Sequence, residues 1–591
     1  MKRRKFFVTL VFCLCWTITL VSQQVFDVNL NDRSGDTFKV TVYPKKLSAL
    51  NNIFHFASTA PGTYQIMDIG RFVKNFKAFD GSGNEIVTQN TSTNQWTITN
   101  PAAVKKITYE AIDIWDSPIT ENKPYPMCSS TISDTFVMIN GQCVFGYFEG
   151  MQAEPIRIKI DYPSAWKLGT ALQKNTAGYF EAENFDHAVD SPFYLGDLTV
   201  AQTQVGGATV EVYTHSMTGL IKSSDILSSL QDILNATAKF TNGLPVDRYT
   251  FLFQFGTFSS GAWEHSYSSE YVMKEDTLTA AYSSGIESIV AHEFFHIVTP
   301  LNIHSELIEQ FNFVKPTMSQ HLWLYEGVTE WAAHMMLMRD GLVSLNEHFA
   351  TLKNKITTTE FYSPTLSLTE LGVRATELQN QYGNIYLKGS LIGELLDIRL
   401  LQLSGGTRGL REVINELAAT YGKKRAFSEK NFFAELTAMT YPEVGDFIAR
   451  YIQGAEKLPL QEYFQWLGIR YIEIAGYDST RGVLGISLGG NDTTLVVTSV
   501  TAESKSGLKA GDVVEKIDGV PITPQTSQAV FAEMRKQKKI GDNIIITITR
   551  DKKVVDVVAK LIPVAIKHKF EVLANASPEQ LKLREAWLKN L

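Results

Sequence analysis

Apolar and polar positions along the chain change period several times. From residue 24 to about 220 they alternate in twos, as in Phe38-Lys39-Val40-Thr41-Val42-Tyr43 and Trp96-Thr97-Ile98-Thr99. That period sends successive side chains to opposite faces of a strand. Pro61-Gly62, Asp80-Gly81-Ser82-Gly83 and Gly206-Gly207 supply turns between strands. A β-sandwich-like unit over 24–220 is predicted. Over 221–350 the pattern mixes: helical spacing at 224–240, an apolar strand at 249–255, and an apolar run at 289–298 that reads as a buried helix ended by Pro300. A second helix is predicted from about 320 to 339, stopping near Gly341. Residues 351–475 read as mostly helical, with apolar residues at i, i+3 and i+4 across 391–403 and 431–439. Alternation returns over 476–563, with strands at 494–500, 513–517 and 544–549, the turn pair Asp518-Gly519 and a helix at 527–537. The tail, 564–591, restarts as a helix where Ser577 caps, Pro578 takes the first helical position and Gln580 completes a capping box. The sum is a multidomain α+β chain with no internal repeat.

Inside the apolar run stand His292-Glu293-Phe294-Phe295-His296. Histidines four apart share one helix face, so both imidazoles can reach one metal ion, and the glutamate beside the first can act as a base on water. Chance produces this pattern in about one chain in a hundred of this make-up. Its apolar flanks predict a dry site. A catalytic zinc needs a third protein ligand and an open position. The next helix offers Trp323-Leu324-Tyr325-Glu326-Gly327-Val328-Thr329-Glu330-Trp331. Glu326 and Glu330, four apart, can both face the first helix, one binding the metal while the other orients a histidine through its free ring nitrogen. His304, His321 and His334 compete as ligands. One Zn2+ per chain is expected.

This set resembles the gluzincin metallopeptidases, in which HExxH is followed by a glutamate in a W-x-x-E-G context on the next helix. The resemblance makes Glu326 the ligand and Glu330 the support for a ligand. More of the chain resembles the glycyl-aminopeptidase branch of that family, which carries a PDZ domain. Gly261-Ala262-Trp263-Glu264-His265 is similar to its G-G-x-E-H segment, with Ala262 in place of a glycine. By that resemblance Glu264 binds the substrate's free amine, an ion pair that sets the first peptide bond at the metal, and Gly261, Ala262 and His265 border the substrate. Tyr386-Leu387-Lys388-Gly389 is similar to the Y-x-K-G segment, whose tyrosine donates to the tetrahedral oxyanion; Tyr382 is its nearest competitor. Leu484-Gly485-Ile486-Ser487 resembles the PDZ carboxylate-binding loop, with helix 527–537 walling a groove that can take a C-terminal peptide. Softer echoes are Pro61-Gly62-Thr63-Tyr64 and Ile452-Gln453-Gly454. After the histidine helix, Ile297-Val298-Thr299-Pro300-Leu301-Asn302 stands where many relatives carry a Trp-Asn pair, so substrate preference transfers poorly.

The resemblance implies a thermolysin-like catalytic domain at 221–350, an α-helical domain at 351–475 and a PDZ domain at 476–563. It implies a zinc aminopeptidase acting on peptides with a free N-terminus and a small first residue such as Gly or Ala, with Glu293 as general base. The alternatives are a zinc endopeptidase whose PDZ domain engages substrate C-termini, and a PDZ peptide-binding protein with a silent zinc domain.

Composition adds the compartment. Residues 1–23 read as a signal peptide: Lys2, Arg3, Arg4 and Lys5 precede an apolar stretch too short to span a bilayer. Its removal takes four positive charges and no negative one from the net −7, leaving −11. An acidic chain argues against nucleic acid as a partner. A secreted or periplasmic protein without a membrane span is expected. Cys128 and Cys143 would then sit in an oxidising compartment and form a disulfide worth about 3 kcal/mol.

Overall fold

The computed structural model describes residues 23–590 except 423, 424, 492, 502 and 505; the expected signal peptide lies outside the described residues. The N-terminal unit is β-rich, as its alternation requires. Strand Thr37–Tyr43 buries Phe38, Val40 and Val42 and leaves Lys39 and Thr41 between them half-buried. It pairs antiparallel with Gln24–Asn29, which also pairs parallel with Ile156–Asp161 in an eight-stranded sheet. Two four-stranded sheets share one apolar core with it.

Two strands assigned by pattern to this unit belong elsewhere. β1 (Thr199–Val205) and β2 (Ala208–Ser216) open a five-stranded sheet with β3 (Arg248–Gly256), β4 (Gly261–Glu264) and β5 (Ser268–Lys274), in the order β1-β2-β3-β5-β4. β2 and β3 are parallel and are joined by helix α1 (Ser223–Phe240). A parallel pair needs such a crossover, and alternation alone cannot say which sheet a strand enters. The boundary of the N-terminal unit therefore falls near residue 198 rather than 220.

Helix α2 (Ala280–Phe295) follows, capped by the Thr279 side chain on the Tyr282 amide. It starts nine residues before the apolar run and ends at Phe295, ahead of Pro300. A π-helical turn, Trp323–Val328, leads into α3 (Thr329–Arg339). Helices α4 (Leu345–Thr359) and α5 (Asn384–Leu403) pack beside it. One apolar core joins the five-stranded sheet, the helices of 351–475 and Trp587 of the tail.

A long antiparallel ribbon, β6 (Ile469–Val483) with β8 (Ile562–Val572), leads to and from the last unit. That unit has its own core around Val497, Ile544, Ile546 and Ile548. Its edge strand β7 (Ile486–Gly490) pairs, among the described residues, with Leu495–Val500 and lies beside helix α6 (Ser527–Gln537). The tail helix α7 (Pro578–Lys589) forms the predicted Ser577–Gln580 capping box. It returns to the catalytic core, where Trp587 is fully buried and its indole N–H donates to Glu394 (2.8 Å).

Candidate metal centre and substrate pocket

The i, i+4 spacing places His292 and His296 on one face of α2, opposite the turn that carries Glu326. Glu326 Oε2 lies 3.4 Å from His292 Nε2 and 3.5 Å from His296 Nε2. Each ring is oriented from behind. His292 Nδ1 donates to Glu330 Oε2 (3.0 Å), and His296 Nδ1 donates to the Thr299 carbonyl (2.9 Å). Both Nε2 atoms are thereby turned toward the same carboxylate oxygen. The three residues are all buried. Zinc bonds of about 2.0–2.1 Å in tetrahedral array put neighbouring donors about 3.3–3.4 Å apart, so the donor set fits a zinc ion.

Electrostatics agree. Glu264, Glu293 and Glu326 converge on one pocket of about 300 Å³. Burial, then the neighbouring Glu326 and Glu293 charges, push the Glu264 carboxyl well up. Burial raises Glu293 to about 7, with Glu326 and Glu330 adding to it and His292 opposing. Burial lowers His296 to about 4, which keeps it in the neutral form that binds metals. Burial opposes charge on His292 too, but its hydrogen bonds to Glu326 and Glu330 outweigh burial and raise it. Crowded carboxylates that hold a proton on a histidine are what a dication relieves.

Glu330 is fixed in turn. Burial works against its charge, yet Lys355 (Nζ 2.9 Å away) and His292 hold its carboxyl far below the usual range. Sequence reasoning missed Lys355. Its signal was a lysine on the apolar stripe of α4, between Leu352 and Ile356, where it is 5% exposed. Tyr64, in the segment Pro61-Gly62-Thr63-Tyr64, joins the centre as well. From the N-terminal unit its hydroxyl donates to Glu326 Oε1 (3.0 Å), across 262 residues of sequence.

Two glycines bring the helices together. A Cβ on Gly327 would lie 2.5 Å from Gly389 Cα, so the glycine after Glu326 touches the one three residues after Tyr386. Only hydrogen at both positions lets the Glu326 turn and α5 approach this closely. Tyr386 then lines the pocket, its ring 5.6 Å from that of His292, and burial followed by the Glu326 charge keeps its phenol neutral. Tyr382 also lines the pocket, with its hydroxyl 3.1 Å from that of Tyr386. We expect Gly327→Ala to destabilise the fold by about 1–3 kcal/mol through overpacking and to lower turnover. Thermal melts and peptide assays check this; wild-type values for both would refute the contact's role.

Among the residues expected to border substrate, Ala262 and Glu264 line the pocket, whereas Gly261 and His265 do not. His265 is 1% exposed, faces Asp190 (3.6 Å) and packs on Trp263. The competing histidines are also elsewhere: His321 meets the Glu429 carbonyl, His334 meets Glu330, and His304 is buried outside the pocket. Cys128 and Cys143 are free thiols rather than a disulfide. Each is directed at a backbone carbonyl, Cys128 at that of Tyr125 and Cys143 at that of Cys128. In the last unit, Leu484 and Ile486 line a groove of about 250 Å³ with Phe531 and Met534. Gly485 takes φ +67° in the loop before β7.

The model of the peptidase M61 N-terminal domain matches residues 25–197. The model of the M61 glycyl aminopeptidase matches 286–392, and that of the PDZ domain matches 482–561. No curated protein matches the chain. An aminopeptidase N family protein from Idiomarina loihiensis has a similar structure, with TM-score 0.79 and 21% identity over 96% of this chain and 100% of its own. An M1 zinc metallopeptidase variant from Deinococcus radiodurans, bound to a Tyr-Ser-Ala substrate, aligns with TM-score 0.47 and 11% identity over 74% of this chain and 95% of its own. Among the described residues no helix is long and apolar enough to cross a membrane. The M61 N-terminal, M61 glycyl aminopeptidase and PDZ models each fall on a unit of this fold, so the chain joins an M61-type peptidase to a PDZ domain.

Proposed function

We propose that the protein is an exported aminopeptidase that removes small N-terminal residues, with one zinc held by His292, His296 and Glu326. The observation that carries this reading is Glu264. It is 9% exposed, faces the pocket beside the donor set, and makes no side-chain ion pair or hydrogen bond with another described residue. A buried carboxylate left unpaired is costly. A substrate α-ammonium supplies its partner and sets the first peptide bond over the donor set. Gly62 closes in on this end: a Cβ there would lie 2.3 Å from Glu264 Oε1. With Trp263, Met127 and Tyr125 also on the wall, little room is left for a large first side chain.

Zinc at this site supplies a Lewis acid for the scissile carbonyl and for water. Glu293, which has no hydrogen-bond partner among the described residues, accepts a proton from the attacking water and passes it to the leaving amine. The Tyr382 and Tyr386 hydroxyls are hydrogen-bonded to each other, and with Tyr382 as the donor the Tyr386 proton is left to meet the oxyanion. Glu330 and Lys355 hold the His292 ring. The free edge of β7 and its apolar groove support capture of a C-terminal peptide by strand addition. Export rests on the basic and apolar residues 2–21.

The test is Glu264→Ala, assayed on an alanyl peptide and its N-acetylated form. Loss of a charge-assisted pair is expected to lower kcat/KM on the free-amine peptide about tenfold to a hundredfold, with the already slow acetylated peptide unchanged. Equal cleavage of both peptides by the wild type, with cleavage of the acetylated peptide intact in the variant, would point to an endopeptidase instead.

A further inference from the structure

On the face of α5 opposite Tyr386 lies a second cavity, of about 400 Å³, between α4, α5 and the ribbon that leads to the PDZ unit. It contains two unmet polar demands of opposite kind. Asn384 is 3% exposed and its Oδ1 has no hydrogen-bond partner. Lys388, one turn further along the same face, is half-buried and makes no ion pair or hydrogen bond among the described residues. The carboxylates around the cavity are already satisfied. Glu360 meets Lys567 (2.7 Å) and His568 (3.2 Å), Glu473 meets Lys457 (2.7 Å), and Glu456 meets Arg450 (2.8 Å). The uncompensated charge is therefore the one ammonium of Lys388. Ile356, Leu391, Leu458 and Leu460 give the wall an apolar part, beside Thr359 and Ser363.

We infer that this cavity is a binding site for a small monocarboxylate that also carries an N–H donor and an apolar side chain, the chemistry of an amino acid or of the last residue of a peptide. The carboxylate pairs with Lys388, the N–H donates to Asn384 Oδ1, and the side chain packs on the leucines. Burial lowers the Lys388 ammonium's pKa, and a bound carboxylate removes that penalty. The site is separate from the zinc pocket and needs no metal. It also bridges two parts of the molecule. Lys388 belongs to the helix that presents Tyr386, while Tyr471 and His568 on the far wall, joined through the Tyr471 hydroxyl and His568 Nδ1 (2.7 Å), belong to the ribbon.

Calorimetric titration of the full chain with N-acetyl-leucine tests this, since its blocked amine cannot use Glu264. Saturable binding is expected, with N-acetyl-leucinamide, which lacks the charge, binding about tenfold to a hundredfold more weakly. Lys388→Met should lose the same factor while Lys388→Arg keeps binding, with melting temperatures showing that both variants fold. A parallel titration with leucine identifies the source: Lys388-dependent binding of leucine means a free amino acid, and binding of the acetylated form alone means a peptide C-terminus. No binding of N-acetyl-leucine to the wild type, or binding unchanged by Lys388→Met, would overturn the proposal.

Discussion

Glu293→Gln is expected to keep its zinc and lose turnover by about a hundredfold to ten-thousandfold, the range of a general base. Glu293 lies in the same pocket and is not one of His292, His296 and Glu326, although it forms a second close group with Glu264 and His296, so the amide removes none of those three ligands. Burial already raises the Glu293 carboxyl to about 7, a basicity suited to taking a proton from water and returning it within one turnover. An amide of the same shape can do neither. Metal content by elemental analysis and steady-state rates on one peptide read the two effects separately. A variant with full zinc and near-wild-type turnover would remove Glu293 from the mechanism.

Glu326→Gln is expected to lose the metal itself. The carboxylate faces both imidazoles and accepts from Tyr64 at its other oxygen. A neutral amide removes the one anionic ligand, and with it much of the attraction for a dication. Dialysis against a mild chelator should strip the variant and leave the wild type loaded. Because zinc binds the folded state, its removal should lower the wild-type melting temperature and leave that of Glu326→Gln unmoved. Activity should fall by at least about a thousandfold and recover only partly in excess zinc. A variant that retains one zinc through dialysis would show that Glu326 is not a ligand.

Much of the candidate site was legible because its pieces are local. Two histidines four apart on an apolar helix, and two glutamates four apart on the next, are statements about one helix face each. The Ser577 cap was legible for the same reason. Other elements misled where pattern is silent about partners. Thr199–Val205 alternates as a strand should, but only its pairing with Ala208–Ser216, and that strand's parallel pairing with Arg248–Gly256, show that it serves the catalytic sheet. Cys128 and Cys143 look like a pair by count and compartment, yet their thiols are turned to carbonyls.

By itself the sequence determined the periods of the elements, the motif faces and the order of the units, because hydrophobic spacing and i, i+4 geometry act within a few residues. Only the tertiary structure decided which far-apart residues complete the site. Tyr64 reaches Glu326 from another unit, Lys355 sits behind Glu330, and Gly327 meets Gly389 so that Tyr386 stands over His292. It also turned His265 away from the pocket while leaving Glu264 in it. These contacts depend on how layers pack, and packing is set by the whole core at once rather than by any stretch of chain.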